Sequence, residues 1–347
     1  MHQKIKERIG HLANLAAVLQ SNDELESVVS RTSAINPWFT AGFTHTAIAA
    51  IRDEMLRGDK LTAWLSPYQI IDAAPQQVVG IIMAGNIPLV GFHDFLCAYI
   101  LGHPMRIKLS GKDEILFPFV YDKLCAIDTD MAANTRIVDR LEGYDAVIAT
   151  GSNNSHRYFE YYFRNHSALL RKNRNSIAIL SGNETDAELD ALADDIFMYF
   201  GFGCRNVSKI YIPRDYDVTI LFPHLEKYKW MFQHSKYMNN YDYNRTLLLL
   251  NKTPHLANEI LMMQESTSIA SPVSMLYYEY YENVDLLKQN CVKNADQIQC
   301  IVAGDGFPNV LKLNSIIPFG MSQQPTLSDY ADGVDTVAFL KSLKTLK

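Results

Sequence analysis

Seven apolar residues stand in an unbroken row at Val78-Val79-Gly80-Ile81-Ile82-Met83-Ala84. The run is too short to cross a membrane, and it lacks the alternation of a half-solvated strand. It reads as a strand buried on both faces, which a parallel sheet covered by helices provides. Asn86 and Pro88 follow as helix start signals, with Leu89, Phe92, His93, Leu96 and Ile100 as one apolar face. Met105 to Leu109 reads as the next strand, 112–125 as a helix, and Asp145 to Ala149 as a third strand. Thr150-Gly151-Ser152 and an aromatic-rich helix come after it. This β-α-β alternation predicts a parallel sheet that binds ligands at the carboxyl ends of its strands.

A second α/β unit opens at Ser176 to Leu180. Thr185 and Glu188 match a capping box, and Leu189, Leu192, Ala193, Ile196 and Phe200 form the stripe of the helix behind it. Gly201 and Gly203 are expected to end that helix. Val207 to Ile212 reads as a strand stopping at Pro213, with further strands at Thr246 to Leu250 and Val273 to Tyr278. At the other end of the chain, Ile5, Ile9, Leu12, Ala16 and Leu19 mark a helix over 4–20. The stretch up to Pro75 is mostly helical and carries no chemical motif.

Whole-chain properties exclude several classes. A net charge of −6 leaves no general basic surface for nucleic acid. Cys97, Cys125, Cys204, Cys291 and Cys300 are odd in number and widely spaced, which fits neither a disulfide framework nor a zinc site, so no metal is expected. A reducing cytoplasm is the expected compartment. No apolar run approaches the roughly 20 residues of a membrane span, and no signal-peptide core follows Met1.

Chemistry centres on Cys204, in Phe200-Gly201-Phe202-Gly203-Cys204-Arg205-Asn206. A thiolate attacks carbonyls readily, and glycines leave room for a sharp turn and a substrate. The bland alternative is a small buried hydrophobe. The preceding helix end also opposes a thiolate, because its carbonyls carry partial negative charge. Asn86 is either an N-cap or a donor to a developing oxyanion. The backbone of Thr150, Gly151 and Ser152 suits a phosphate, or is an ordinary strand-to-helix turn. Lys108 ends its strand as a cofactor contact or a solvated lysine. A G-x-G-x-x-G fingerprint is missing from the expected place.

Taken in order, Gly85-Asn86-Ile87-Pro88, Lys108-Leu109-Ser110, Ala149-Thr150-Gly151-Ser152 and Gly201-Phe202-Gly203-Cys204 resemble the motifs of the aldehyde dehydrogenase superfamily. From about residue 76 onward the chain looks closest to acyl-CoA reductases related to the fatty-acid reductase of bacterial bioluminescence. Arg171 to Ser176 and the tail from Pro318 to Asp335 favour that branch. The resemblance implies an α/β, aldehyde-dehydrogenase-like fold of two Rossmann-like parallel-sheet domains. The expected division is an N-terminal helical segment over 1–75, a cofactor-binding domain over 76–166 completed by C-terminal segments, and a catalytic domain with its tail over 167–347. Cys204 would be the nucleophile, with Asn86 and the Cys204 backbone N–H as oxyanion donors. Lys108 and Ser110 would lie near the adenosine ribose, Ser152 near the pyrophosphate, and Glu265 would contact the cofactor.

Two departures from the family pattern refine this. Hydrolytic members carry a water-activating glutamate where this chain has Ser167-Ala168-Leu169-Leu170-Arg171-Lys172. Its absence favours thioester chemistry with an acyl-CoA. NAD-preferring relatives place a carboxylate three residues after the lysine, where this chain has Gly111 followed by Lys112. NADPH is therefore expected, with NADH as the alternative. The competing readings are an acyl-phosphate or aldehyde dehydrogenase of the same fold, and a non-catalytic binding protein that retains it. A homo-oligomer or an acyl-transfer complex is the expected assembly.

Overall fold

The computed structural model describes residues 3–70, 77–151, 153–304 and 316–343. It divides into one unit of residues 1–173 with 325–347 and a second of residues 174–324.

The first unit begins with α1 (Gln3–Val18), α2 (Asp23–Ile35), α3 (Ala41–Ala50) and α4 (Gly58–Leu65). Ile5, Ile9, Leu12 and Leu15 are the buried stripe of α1. They join one core with the sheet and its helices, so the N-terminal segment is part of this unit. The α/β part runs β1 (Val79–Ile82), α5 (Phe92–Leu101), β2 (Met105–Lys108), α6 (Leu116–Ile127), α7 (Thr129–Asn134), β3 (Arg136–Ile137), β4 (Ala146–Thr150), α8 (Asn153–Tyr162) and β5 (Ser167–Arg171). Its strands are ordered β3-β2-β1-β4-β5, and all are parallel. Ser167–Arg171 pairs along β4 from Ala146↔Ser167 to Thr150↔Arg171. The boundary expected before Ser167 therefore falls after Asn173, because this segment completes the first sheet.

The second unit runs β6 (Asn175–Ile179), α9 (Asp186–Phe197), β7 (Val207–Pro213), α10 (Leu221–His224), α11 (Ser235–Leu250), β8 (Leu256–Ala257), β9 (Met262–Glu265), β10 (Met275–Tyr281), α12 (Val284–Lys293), β11 (Ile298–Ala303) and β12 (Ile316–Ile317). The order is β12-β11-β6-β7-β10-β9-β8, and only the edge pair β8–β9 is antiparallel. The Thr185–Glu188 capping box opens α9 as expected.

Four local expectations are corrected. Thr246 to Leu250 is helical: Tyr237, Tyr241, Asn244 and Leu248 are buried at helical spacing, and the leucines extend that helix. α5 starts at Phe92, six residues beyond Asn86, after a turn in which Leu89 has φ 55°. The Asp113 carboxylate accepts the Leu89 N–H at 3.1 Å and the Phe117 N–H at 3.3 Å. It ties that turn to the start of α6, which opens at Leu116 rather than at residue 112. Phe200 lies outside α9, which ends at Phe197.

Candidate active site

Strand order reverses between β1 and β4 in the first unit, and ligands of open parallel sheets bind beyond the carboxyl ends at such a reversal. Asn86 follows β1, Lys108 ends β2, and Thr150 ends β4, so the sheet brings them to one edge. A Cβ on Gly85 would stand 2.5 Å from Ser110 Oγ, so only glycine lets the turns after β1 and β2 close on each other. Ser110 Oγ also accepts the Lys112 N–H at 3.3 Å. Lys112 is exposed, and its carbonyl accepts Asn36 Nδ2 at 3.1 Å. Glu114 Oε1 stands 3.5 Å from where a Gly111 Cβ would be, so a carboxylate reaches the position that Gly111 leaves bare. Lys108 Nζ donates to the Asp139 carbonyl at 2.9 Å. Gly151 packs under Ser155 and Phe159 of α8, each 2.8 Å from a notional Cβ. Ser152 lies outside the described residues.

Cys204 lies in the second unit, between α9 and β7. Past Phe197 the chain makes a left-handed turn, with φ 53° at Tyr199, 57° at Phe200 and 77° at Gly201. Bulky residues adopt this conformation only under compulsion. Here Phe200, 2% exposed, is fixed by ring contacts with His234 at 4.4 Å and with Trp230 and Tyr237 at 5.7 Å. Ser176 Oγ donates to the Cys204 carbonyl at 3.1 Å, and Cys300 Sγ lies 2.9 Å from that hydroxyl. Arg205 Nε donates to the Ser322 carbonyl at 2.6 Å. The N–H groups of Gly320 and Ser322 donate to the Asp195 carboxylate at 2.7 and 3.0 Å. Burial pushes the Asp195 carboxyl up to about 6, against the pull of those donors.

Asp195, Ser176 and Asn206 escaped the sequence reading. Asp195 gave a signal, a carboxylate beside the apolar stripe of α9, where burial demands partners. Glu265 does not join Cys204. It ends β9, exposed at the carboxyl edge of the second sheet, whereas Cys204 precedes β7 at the amino edge, about one four-residue strand length (~10 Å) away along the strands. Among the described residues no group of three His, Cys, Asp or Glu could hold a metal ion, and no helix is long and apolar enough to cross a membrane.

The family described as acyl-CoA reductase (LuxC) matches residues 46–221, just over half of the chain. No curated protein sequence matches. Among solved structures, an indole-3-acetaldehyde dehydrogenase from P. syringae in complex with NAD+ and IAA has a TM-score of 0.66 at 14% identity, covering 89% of this chain and 74% of that one. A betaine aldehyde dehydrogenase from Staphylococcus aureus in complex with NAD+ has 0.65 at 11%, covering 90% and 74%. An aldehyde dehydrogenase from Physcomitrella patens with the reaction product succinate has 0.65 at 11%, covering 90% and 77%. At such identities the likeness is one of fold.

Proposed function

The chain belongs to the LuxC family of acyl-CoA reductases and has the aldehyde dehydrogenase fold, and from this premise we propose that it reduces an acyl-CoA thioester to an aldehyde through an acyl-enzyme on Cys204. It is an aldehyde-related oxidoreductase, and its carboxyl-edge residues fit a nicotinamide dinucleotide. The strand-order reversal, the turn at Thr150-Gly151 and the cations Lys108 and Lys112 make an electropositive edge suited to phosphates.

In this reading the Cys204 thiolate attacks the thioester carbon, and a new C–S bond forms. The Asn86 carboxamide and the Cys204 backbone N–H donate to the oxyanion. The carbonyl re-forms, the bond to CoA breaks, and CoA leaves as a thiolate that takes a proton from solvent. When bound, the nicotinamide supplies the hydride that converts the acyl group to an aldehyde. The oxyanion left by hydride addition re-forms its carbonyl as the Cys204–carbon bond breaks, which releases the aldehyde and returns Cys204 as a thiolate.

The observation that carries this reading is the side-chain set of β5. Leu169 and Leu170 pack into apolar clusters, and Arg171 pairs with Asp94. The segment itself offers no carboxylate, and by the family resemblance this is where hydrolytic members carry their water-activating glutamate; without that base an acyl-enzyme on Cys204 would outlive hydrolysis long enough for reduction. NADPH is favoured through Lys112, with the nearby Glu114 carboxylate admitting NADH.

The test is cofactor consumption with acyl-CoAs of graded chain length, with the aldehyde and free CoA both quantified. Equal amounts of aldehyde, CoA and oxidised cofactor are expected, and Cys204→Ala should abolish all three. Wild-type turnover by Cys204→Ala sinks the mechanism.

A further inference from the structure

The turn that holds Cys204 stands on the carboxyl end of α9, the wrong end of a helix for a thiolate. The structure meets this problem with one side chain. Asn206 is 1% exposed. Its Nδ2 donates to the carbonyls of Asp195 at 3.0 Å and Met198 at 2.8 Å, with the Ile196 carbonyl at 3.5 Å. Its Oδ1 accepts the Gly203 N–H at 2.8 Å, and its own N–H donates to the Gly203 carbonyl at 3.0 Å. The loop 203–206 is thus closed twice around Cys204, and the last carbonyls of α9 have donors.

We propose that Asn206 is a positioning residue for the Cys204 thiol: its buried carboxamide neutralises the carboxyl end of α9 and fixes the Gly203–Asn206 turn from which the thiolate attacks. The inference rests on Cys204 being the nucleophile. Asn is the side chain this place requires, because it must donate toward the helix and accept from Gly203 at once. Aspartate keeps the acceptor but turns a negative charge toward three carbonyls. Alanine loses both functions. The other charged or titratable groups around the turn are already engaged. Arg205 is bonded to the Ser322 carbonyl, Asp195 to the Gly320 and Ser322 N–H groups, and Asp194 to Lys227 and Tyr228. Cys300 lies against Ser176. Replacing Asn206 by aspartate therefore changes the charge seen by the thiol without breaking an ion pair.

The experiment measures iodoacetamide alkylation of the full chain against pH, site by site by mass spectrometry, with the half-buried Cys125 as the reactive control and the fully buried Cys97 as the control that the fold stays closed. Asn206→Asp should move the pH midpoint for Cys204 up by about one unit and slow its alkylation at pH 7 about tenfold, leaving the controls unmoved. Asn206→Ala should give a smaller shift in the same direction. In turnover, both should lower kcat with the KM for acyl-CoA within about threefold, since a misplaced nucleophile loses transition-state rather than ground-state interactions. Folded Asn206→Asp and Asn206→Ala proteins with the wild-type Cys204 profile overturn the proposal. If Asn206→Asp does not fold, Asn206→Ser is read by the same criterion, because serine keeps a short donor without added charge. Cys204→Ala separates the two readings. If that variant still reduces acyl-CoA, the nucleophile assignment falls, while the alkylation profile still reports on Asn206.

Discussion

Arg171 should be among the most expensive single residues to remove from the first unit. Its Nε and Nη2 reach both Asp94 oxygens at 3.1 and 2.5 Å, Nη1 reaches the Ala331 carbonyl at 2.6 Å, and Nη2 reaches Thr336 Oγ1 at 2.8 Å. Arg171 is 2% exposed, Asp94 8% and Thr336 0%, so these bonds join β5, α5 and the C-terminal tail out of water's reach. Arg171→Met keeps the aliphatic volume but leaves Asp94 charged and buried, with only the Thr336 hydroxyl at 3.4 Å. Stranding one member of a buried pair costs about 3–5 kcal/mol, and the orphaned Ala331 carbonyl adds about 1 kcal/mol. Against a typical total of roughly 5–15 kcal/mol, that is a large fraction. Asp94→Leu with Arg171→Met strands no charge and should recover most of the loss, a coupling of at least about 2 kcal/mol. Urea unfolding followed by fluorescence reads it, since Trp38 and Trp64 lie in this unit. The single variant should lower the midpoint by roughly 1–2 M. A loss under about 1 kcal/mol in the single variant, or a double variant no better than the single, refutes the argument.

Three further outcomes are expected. The Asp195 carboxyl, raised by burial to about 6 from 3.8, holds its proton more tightly in the folded state, so its stabilising contribution is full below pH 3.8 and lost as pH rises through 6. Relative to Asp195→Asn, the wild type should lose up to about 3 kcal/mol between pH 4 and 7 in urea unfolding, and a pH-independent difference contradicts this. Asn86→Ala should lower kcat by about 10²–10³ in a protein that still folds, since Gly91 and not Asn86 is the N-cap of α5; a drop in melting temperature with kcat intact reverses that assignment. Glu114→Gln should raise the NADPH-to-NADH ratio of kcat/KM several-fold and Lys112→Ala should lower it, and an unchanged ratio in both variants removes these residues from cofactor choice.

Much of the first sheet was readable along the chain. Val79–Ile82 and Ala146–Thr150 are continuous apolar or near-apolar runs, and burial on both faces writes itself into such a run, while Met105–Lys108 alternates apolar and charged residues with a period of two. The Thr185 capping box was legible for a similar reason, since donor and acceptor stand three residues apart. β5, β9 and β11 were missed. The side chains of β5 and β9 are mixed, as in Ser167–Arg171, and their extended state is imposed by the neighbouring strand rather than by local pattern, whereas β11 is buried along its whole length and its apolar run was simply passed over. The leucines at 247–250 misled because a five-residue window fits a strand as well as a helix, and only the longer period from Tyr237 decides between them.

Composition and local order alone determined that this chain would build parallel sheets under helices and carry a cysteine on a glycine-bearing turn. Only the tertiary structure decided that Asn206 faces the end of α9, that Asp195 holds the backbone of Gly320 and Ser322 across more than a hundred residues, and that Arg171 is locked to Asp94 and the tail. The physical reason is one of range. Apolar periodicity and capping act between residues a few positions apart, whereas a buried polar group is satisfied by whatever partner the packed fold delivers to it, wherever that partner lies in the chain.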